Sequence, residues 1–234
     1  MLSLIVVLLI SYLLGSIPTS LWMGRFVRGI DIREYGSGNA GATNTFRILG
    51  WPSGVVVLSL DFFKGFVSTY WVSHLAWKIG TGPVTIPAWD VDAFVQIACG
   101  FMAVFGHAAP VFAGFKGGKG GATAAGMLYG IEPVSISISV GIFLLVMFTT
   151  RYVSLGTVIS TAAYPLSQLV LRYIVGWQID GSVIILSAAA SLFIIYKHKA
   201  NLQRLLNGTE NRIKTFKPRK GIPKDELTTH RMKP

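Results

Sequence analysis

The stretch Leu2-Ser-Leu-Ile-Val-Val-Leu-Leu-Ile-Ser-Tyr-Leu-Leu-Gly-Ser-Ile-Pro-Thr-Ser-Leu-Trp22 contains no charged residue. A run of about 20 apolar residues is what a helix needs to cross the hydrocarbon core of a bilayer, so this segment sets the class of the protein. A cleaved signal peptide would open on a basic region and end at a small-residue site. Here the first basic residue, Arg25, follows the apolar run, so the segment is expected to remain as a helix.

Working outward, further spans are expected at Ser53–Trp77, Ala93–Phe112, Gly121–Gly130, Pro133–Thr150, Leu155–Tyr173 and Ser182–Tyr196, separated by polar or Gly/Pro-rich breaks. The expected fold is therefore all-α: a polytopic integral membrane protein with seven transmembrane helices. The fourth span is short, about ten residues before Glu132-Pro133, and reads as a helix buried by its neighbours or partly re-entrant; without it the count is six. The positive-inside rule separates the two counts. With seven spans, 18 of the 21 Lys and Arg fall on one side, 11 of them from Lys197 onward. That bias puts the N-terminus outside and the C-terminus in the cytoplasm.

The rest of the composition agrees. Of 234 residues, 52% are hydrophobic and 13% charged, and the net charge is +11. A soluble nucleic-acid binder is excluded by the apolar fraction, and the single cysteine, Cys99, excludes a disulfide-stapled domain. Gly126 and Gly130 suit close helix packing in lipid. Two segments are expected along the chain: a membrane domain over 1–211 and a basic, mobile cytoplasmic tail over 212–234. Residues 200–206 suit an amphipathic turn on the membrane surface.

Three clusters on the expected cytoplasmic side carry chemistry. The first runs from Asp31 to Arg47 and gathers Gly36, Ser37, Gly38, Asn39, Gly41, Thr43, Asn44 and Arg47. Glycines allow backbone N–H groups to converge on an anion, and arginine adds a planar fork suited to phosphate. The second, Gly106 to Thr123, sets Lys116 and Lys119 among Gly114, Gly117, Gly118, Gly120 and Gly121 before a helix. A helix N-terminus with a glycine-rich approach also favours phosphate. It is only superficially a P-loop, because Ala113 stands at the first Walker glycine and Gly120 where a Ser or Thr would hold magnesium. In the third, His198 and Asn201 share a helix face if the last span continues. Asp61 and Lys64 read as a mutual pair inside the second span, His107 as a structural hydrogen-bonder or a base, and His74 as structural. Neither a metal-ligand set nor a Gly-x-Ser-x-Gly elbow is present, so no metal site and no strong protein nucleophile is expected.

The blocks Gly15-Ser-Ile-Pro…Asp31-Ile-Arg…Gly36-Ser-Gly-Asn-Ala-Gly-Ala-Thr-Asn…Arg47, Gly106-His…Pro110…Phe115-Lys-Gly-Gly-Lys-Gly and His198-x-x-Asn201…Gly208-x-Glu210, in that order, resemble the bacterial acyl-phosphate-dependent glycerol-3-phosphate acyltransferases, the PlsY family. One mild departure is Gly121, where many relatives carry valine. The resemblance implies a seven-helix, multi-pass enzyme of the bacterial inner membrane with its active site facing the cytoplasm and no cofactor. It implies acyl transfer from acyl phosphate to the 1-hydroxyl of glycerol-3-phosphate, giving lysophosphatidic acid and phosphate. Carried over by motif, Arg47 and Lys119 bind the glycerol phosphate, Ser37, His198 and Asn201 position its hydroxyls, and the backbone over 38–43 holds the donor phosphate. Asn44, Lys116 and Glu210 join the substrate-binding set. The implied partners are the two substrates, membrane lipid and an acyl-carrier-protein phosphate acyltransferase that supplies the donor, with no nucleic acid.

Two rival readings make different demands. A transporter of organic phosphates would need paired repeats or interrupted midplane helices, and the sequence shows neither. A scaffold would depend on its basic tail, whereas the enzyme reading expects deletion of the tail to be mild and loss of Arg47 or Lys119 to abolish activity.

Overall fold

The computed structural model describes residues 2–78, 91–210, 212, 221 and 222, and their regular structure is helical. The mobility expected of 212–234 falls, apart from Arg212, Gly221 and Ile222, outside the described residues. Two compact units divide the chain, one from 1–85, 94–131 and 217–234, the other from 86–93 and 132–216.

In the first unit, α1 (Leu2–Gly15) and α2 (Thr19–Arg28) make up the first apolar run, interrupted at Pro18. Pro18 cannot donate a backbone hydrogen bond, so the helix restarts there. Gly29, in the left-handed region, closes α2, its N–H bonding the Arg25 carbonyl while Ile30 N–H bonds that of Gly24. α3 (Ala42–Leu49) is short. α4 (Trp51–Val67) continues through a π-helical turn at Ser68–Val72 into α5 (Ser73–Lys78), and α6 (Val91–Ala108) and α7 (Gly121–Ile131) complete the unit. α4 and α7 touch backbone to backbone. A Cβ at Gly126 would collide with the Phe62 carbonyl, one at Gly65 with that of Thr123, and Gly130 lies against Thr69. In lipid, where apolar side chains gain little by meeting, such close approach supplies the dispersion contacts that hold helices together.

In the second unit, α8 (Pro133–Thr150) starts with proline in its first turn and Glu132 as cap, the carboxylate accepting from Val134 N–H at 3.1 Å and Ser135 N–H at 2.6 Å. Arg151 turns the chain into α9 (Val153–Val170), which ends in a π-helical turn at Leu171–Val175. Asp180 caps α10 (Gly181–Lys197), and after a 55° bend α11 (Lys199–Leu206) follows. Buried Ser135 and Ser139 of α8, and Tyr164 and Gln168 of α9, are each four residues apart, giving each helix one polar stripe within an apolar surface.

Among the described residues, five helices are long and apolar enough to cross a membrane: 2–28, 51–76, 92–113, 133–150 and 153–175. The bent pair at 181–206 makes a sixth if it is one span. The shortfall against seven is α7, whose 11 residues rise only about 16 Å, roughly half the hydrocarbon core.

Candidate active site

The first loop is shaped by residues that face inward. Asn44, 1% exposed, donates through Nδ2 to the carbonyls of Ile32 (3.1 Å) and Tyr35 (2.9 Å), and its Oδ1 accepts from Ser37 N–H at 3.0 Å. Both amide hydrogens are used, so the side chain holds the loop in place. Gly36 has φ +63°, and a Cβ there would press on Asn44 and Ile48, so no larger residue fits the turn. Gly41 is the N-cap of α3 and carries no side chain, leaving the first-turn N–H groups without a side-chain cap. Thr43 and Arg47, four residues apart, are exposed on α3, as is Ser37, whose hydroxyl makes no hydrogen bond among the described residues. Gly38 and Asn39 are half-buried beside them. Together they present a helix N-terminus with an open cap and a guanidinium one turn along, an arrangement whose charge suits an anion.

The second loop folds back over the end of α6. Gly117 N–H bonds the Ala108 carbonyl at 3.2 Å and Gly118 N–H that of His107 at 3.1 Å. A Cβ on Gly118 would meet His107 Nε2. Lys116 and Lys119 are exposed. Arg33 joins the two loops. Its guanidinium pairs with Asp31, Nη2 to Oδ2 at 2.7 Å, while Nη1 donates to the carbonyls of Ala113 (2.9 Å) and Lys116 (3.2 Å). The Arg33 hydrogen bond holds the Asp31 carboxyl below its ordinary pKa, and Asp31 in turn raises that of Arg33.

Beneath the loops lies a buried ionic cluster. Asp61 Oδ1 accepts from Thr19 Oγ1 at 2.5 Å and Lys64 Nζ at 2.7 Å, and His107 Nδ1 is 3.5 Å away. Lys64 also donates to the Ile17 carbonyl at the break before α2. The expected Asp61–Lys64 pair is thus present and extends to α2 and α6. A charge in a membrane span costs several kcal/mol unless satisfied, and here the Lys64 ammonium and Asp61 Oδ1 satisfy one another. A narrow recess of about 10 Å³, room for little more than a water molecule, is lined by Ala40, Lys64, His107, Lys116, Gly117 and Gly118. Alongside, a cavity of about 430 Å³ is walled by Ile17, Trp22, Met23, Phe26 and Leu60, with Lys64 at its polar end.

The third cluster is in the second unit. His198 stands at the bend between α10 and α11, its Nδ1 2.8 Å from the Ile194 carbonyl. A carbonyl only accepts, so Nδ1 carries the proton and Nε2 is left as an acceptor. Asn201 Nδ2 donates to Glu210 Oε1 at 2.9 Å, and Ser154 Oγ (2.9 Å) and Arg204 Nε (2.7 Å) bind the same carboxylate. Those donors, Asn201 first, lower the Glu210 pKa. Glu210, expected among the substrate ligands, is therefore engaged in fixing Asn201. His74 bonds the Tyr70 carbonyl, consistent with a structural role.

The structure brings the first two clusters together through Arg33 and gathers His198, Asn201 and Glu210 separately. Arg33 stands in the quoted Asp31-Ile-Arg motif without an expected role, and that Asp-x-Arg spacing just past a helix end is the signal for its bridging contact.

A family model for glycerol-3-phosphate acyltransferase matches residues 5–208. The chain belongs to that family. Among its relatives, the acyltransferase of Chlorobium phaeobacteroides (strain DSM 266 / SMG 266 / 2430) is 44% identical, over 92% of this chain and 98% of its own length. That of Salinibacter ruber is 42% identical over 94% and 96%. Crystal structures of PlsY (YgiH), an integral membrane glycerol 3-phosphate acyltransferase, match at 34% identity over 90% of this chain. The TM-scores are 0.62 for its glycerol 3-phosphate form and 0.64 for its lysophosphatidic acid form. The acyltransferase assignment, the all-helical class and multi-pass membrane residence follow from this membership and from the apolar helices.

Proposed function

We propose that the chain transfers a fatty acyl group from acyl phosphate to the 1-hydroxyl of sn-glycerol-3-phosphate, releasing 1-acylglycerol-3-phosphate and inorganic phosphate as the first acylation of phospholipid synthesis. The observation that carries this reading is the pair of loops joined by Arg33, which leave Arg47, Lys116 and Lys119 exposed and the first turn of α3 without a side-chain cap. Two anionic reactants must meet, and cations with fixed N–H dipoles supply the counter-charge that water would otherwise provide. Acyl phosphate is already activated, so alignment with the hydroxyl does much of the work and no covalent enzyme intermediate is needed.

In this reading Arg47 and Lys119 hold the glycerol phosphate. The backbone over 38–43 holds the donor phosphate, and Ser37, His198 and Asn201 orient the hydroxyls. The 1-oxygen attacks the acyl carbonyl carbon, the bond from that carbon to the bridging oxygen breaks, and phosphate leaves with the electron pair. The hydroxyl proton passes to the leaving phosphate or to His198 Nε2. The reading requires the third cluster to complete the site, with seven crossings, the C-terminus and active site in the cytoplasm, the inner membrane as location and 1–211 as the catalytic domain. An acyl-carrier-protein phosphate acyltransferase would supply the donor.

The test is purified protein with labelled glycerol-3-phosphate and, in parallel, acyl phosphate, acyl-CoA or acyl-carrier protein. Transfer from acyl phosphate alone is expected. Transfer only from a thioester removes the donor assignment, and transfer from none removes the function.

A further inference from the structure

We infer that Arg33 is a positioning residue that fixes the distance between the two anion-binding loops, so that the Arg47 helix and the Lys116–Lys119 loop act as one cradle. This rests on the proposed acyl transfer for its kinetic consequence, while its structural consequence stands independently.

The geometry is specific. Asp31 caps the 3-10 turn Ile32–Glu34 by accepting from Arg33 N–H at 3.0 Å, and the same carboxylate takes the guanidinium through Nε (3.0 Å to Oδ1) and Nη2 (2.7 Å to Oδ2). A two-pronged pair orients the guanidinium plane, which a single contact would not do. The remaining prong, Nη1, then meets two carbonyls of the other loop, 80 and 83 residues away in sequence.

The partners chosen also matter electrostatically. A loop that binds phosphate must keep its carbonyl oxygens away from the anion. Within 113–118, the carbonyls of Ala113 and Lys116 are turned onto Arg33, while the N–H groups of Gly117 and Gly118 are spent on the end of α6. The exposed Lys116 and Lys119 are thereby carried on a loop two of whose carbonyl oxygens are taken up by a cation. Lysine at position 33 would keep the charge but lack the planar fork, and so could not hold Asp31 and both carbonyls at once.

The experiment uses the full chain in lipid nanodiscs, comparing wild type, Arg33→Lys, Asp31→Asn and the double variant. Initial rates are measured against glycerol-3-phosphate, and trypsin cleavage after Lys116 and Lys119 is followed by mass spectrometry of the peptide ends. Loss of charge-assisted hydrogen bonds of this kind predicts a rise in KM of about tenfold or more for Arg33→Lys, with kcat held within about threefold. Cleavage at the two lysines should accelerate by a similar factor. Asp31→Asn should shift both readouts in the same direction, and the double variant should be no worse than Arg33→Lys alone, since the pair acts as one device. Wild-type KM and wild-type protection in Arg33→Lys overturn the inference, as does a fall in kcat with the loop still protected, which would put Arg33 on the reacting atoms. Absence of acyl transfer in the wild type overturns the proposed function and leaves the trypsin comparison to decide the clasp. Asp31→Asn, which keeps the side chain's size, guards against a misfolded Arg33 variant.

Discussion

Asn44 and Glu210 both stand in motifs that point to substrate, and both spend their polar atoms on the protein. Replacing Asn44 with alanine strips one of two hydrogen bonds from each of the Ile32 and Tyr35 carbonyls and leaves Ser37 N–H without its partner in a partly buried turn. The expected cost is about 2–3 kcal/mol, read as a lower melting temperature in nanodiscs. Activity should fall because the anion cradle loosens. Glu210 leads to a pH dependence. Its pKa, like that of Asp31, lies below the ordinary carboxylate value, so each carboxylate contributes stability that is complete above its unfolded pKa and lost as pH falls through the native one. Melting temperature should therefore drop on acidification below about pH 4.5, and Glu210→Gln should flatten part of that slope. His198 is the contrasting case, with Nε2 left to accept a proton. His198→Gln is expected to cut kcat by about 10²-fold or more, the usual span for a general base. Near-full turnover would reduce His198 to a positioning role and leave the proton to the donor's own phosphate.

The helices were legible to different degrees, and the reasons are physical. Pro133–Thr150 begins and ends where hydropathy put it, because a proline in the first turn, a capping Glu132 and a turning Arg151 all mark its limits in sequence. The first run was read as one helix, yet it breaks at Pro18, where hydropathy does not change but a backbone donor is missing. α7 has apolar composition without the length, and its place depends on α4, a tertiary fact that a local window does not contain. The clusters on the first two loops were visible because glycine and cation content is local. The protein contacts of Arg33 and Glu210 were not legible because their partners lie across the fold or on another helix. The small residues at 126 and 130 were read correctly, and they allow a sharp comparison. Gly126→Ala forces α4 and α7 apart and should destabilise by about 1–3 kcal/mol, whereas Gly141→Ala, with nothing within 4 Å of a new Cβ, should be neutral or stabilising. Thermal inactivation of the two variants side by side checks the packing independently of chemistry.

The charge of the whole chain divides unevenly, since 11 of the 21 Lys and Arg lie from Lys197 onward. Electrostatics alone would let the tail be cut away with little effect on the reaction, because topology and lipid contact need only its first basic residues. One contact argues for a finer division. Ile222 N–H donates to the Ile48 carbonyl at 3.1 Å, at the end of the helix that carries Arg47, and Ile222 packs on the cluster formed by Leu21, Ile32, Ala40, Ile48 and Leu49. Gly221, at φ +88°, lies so close to Leu49 and Gly50 that a side chain there would strike their backbone. The contact is therefore specific to a glycine followed by an apolar residue. Two truncations isolate it, one ending at Lys220 and one at Ile222, which remove the same Lys224, Asp225, Glu226, Arg231 and Lys233 and differ only by two uncharged residues. Partial burial of one isoleucine contributes about 1–2 kcal/mol. The chain ending at Lys220 should melt lower by that amount and show a raised KM for glycerol-3-phosphate, while the chain ending at Ile222 should match the full protein. Equal behaviour of the two would assign the tail to electrostatics alone. A loss shared by both would place the effect in the residues beyond Ile222, and only a difference between them supports a tail that braces the Arg47 helix.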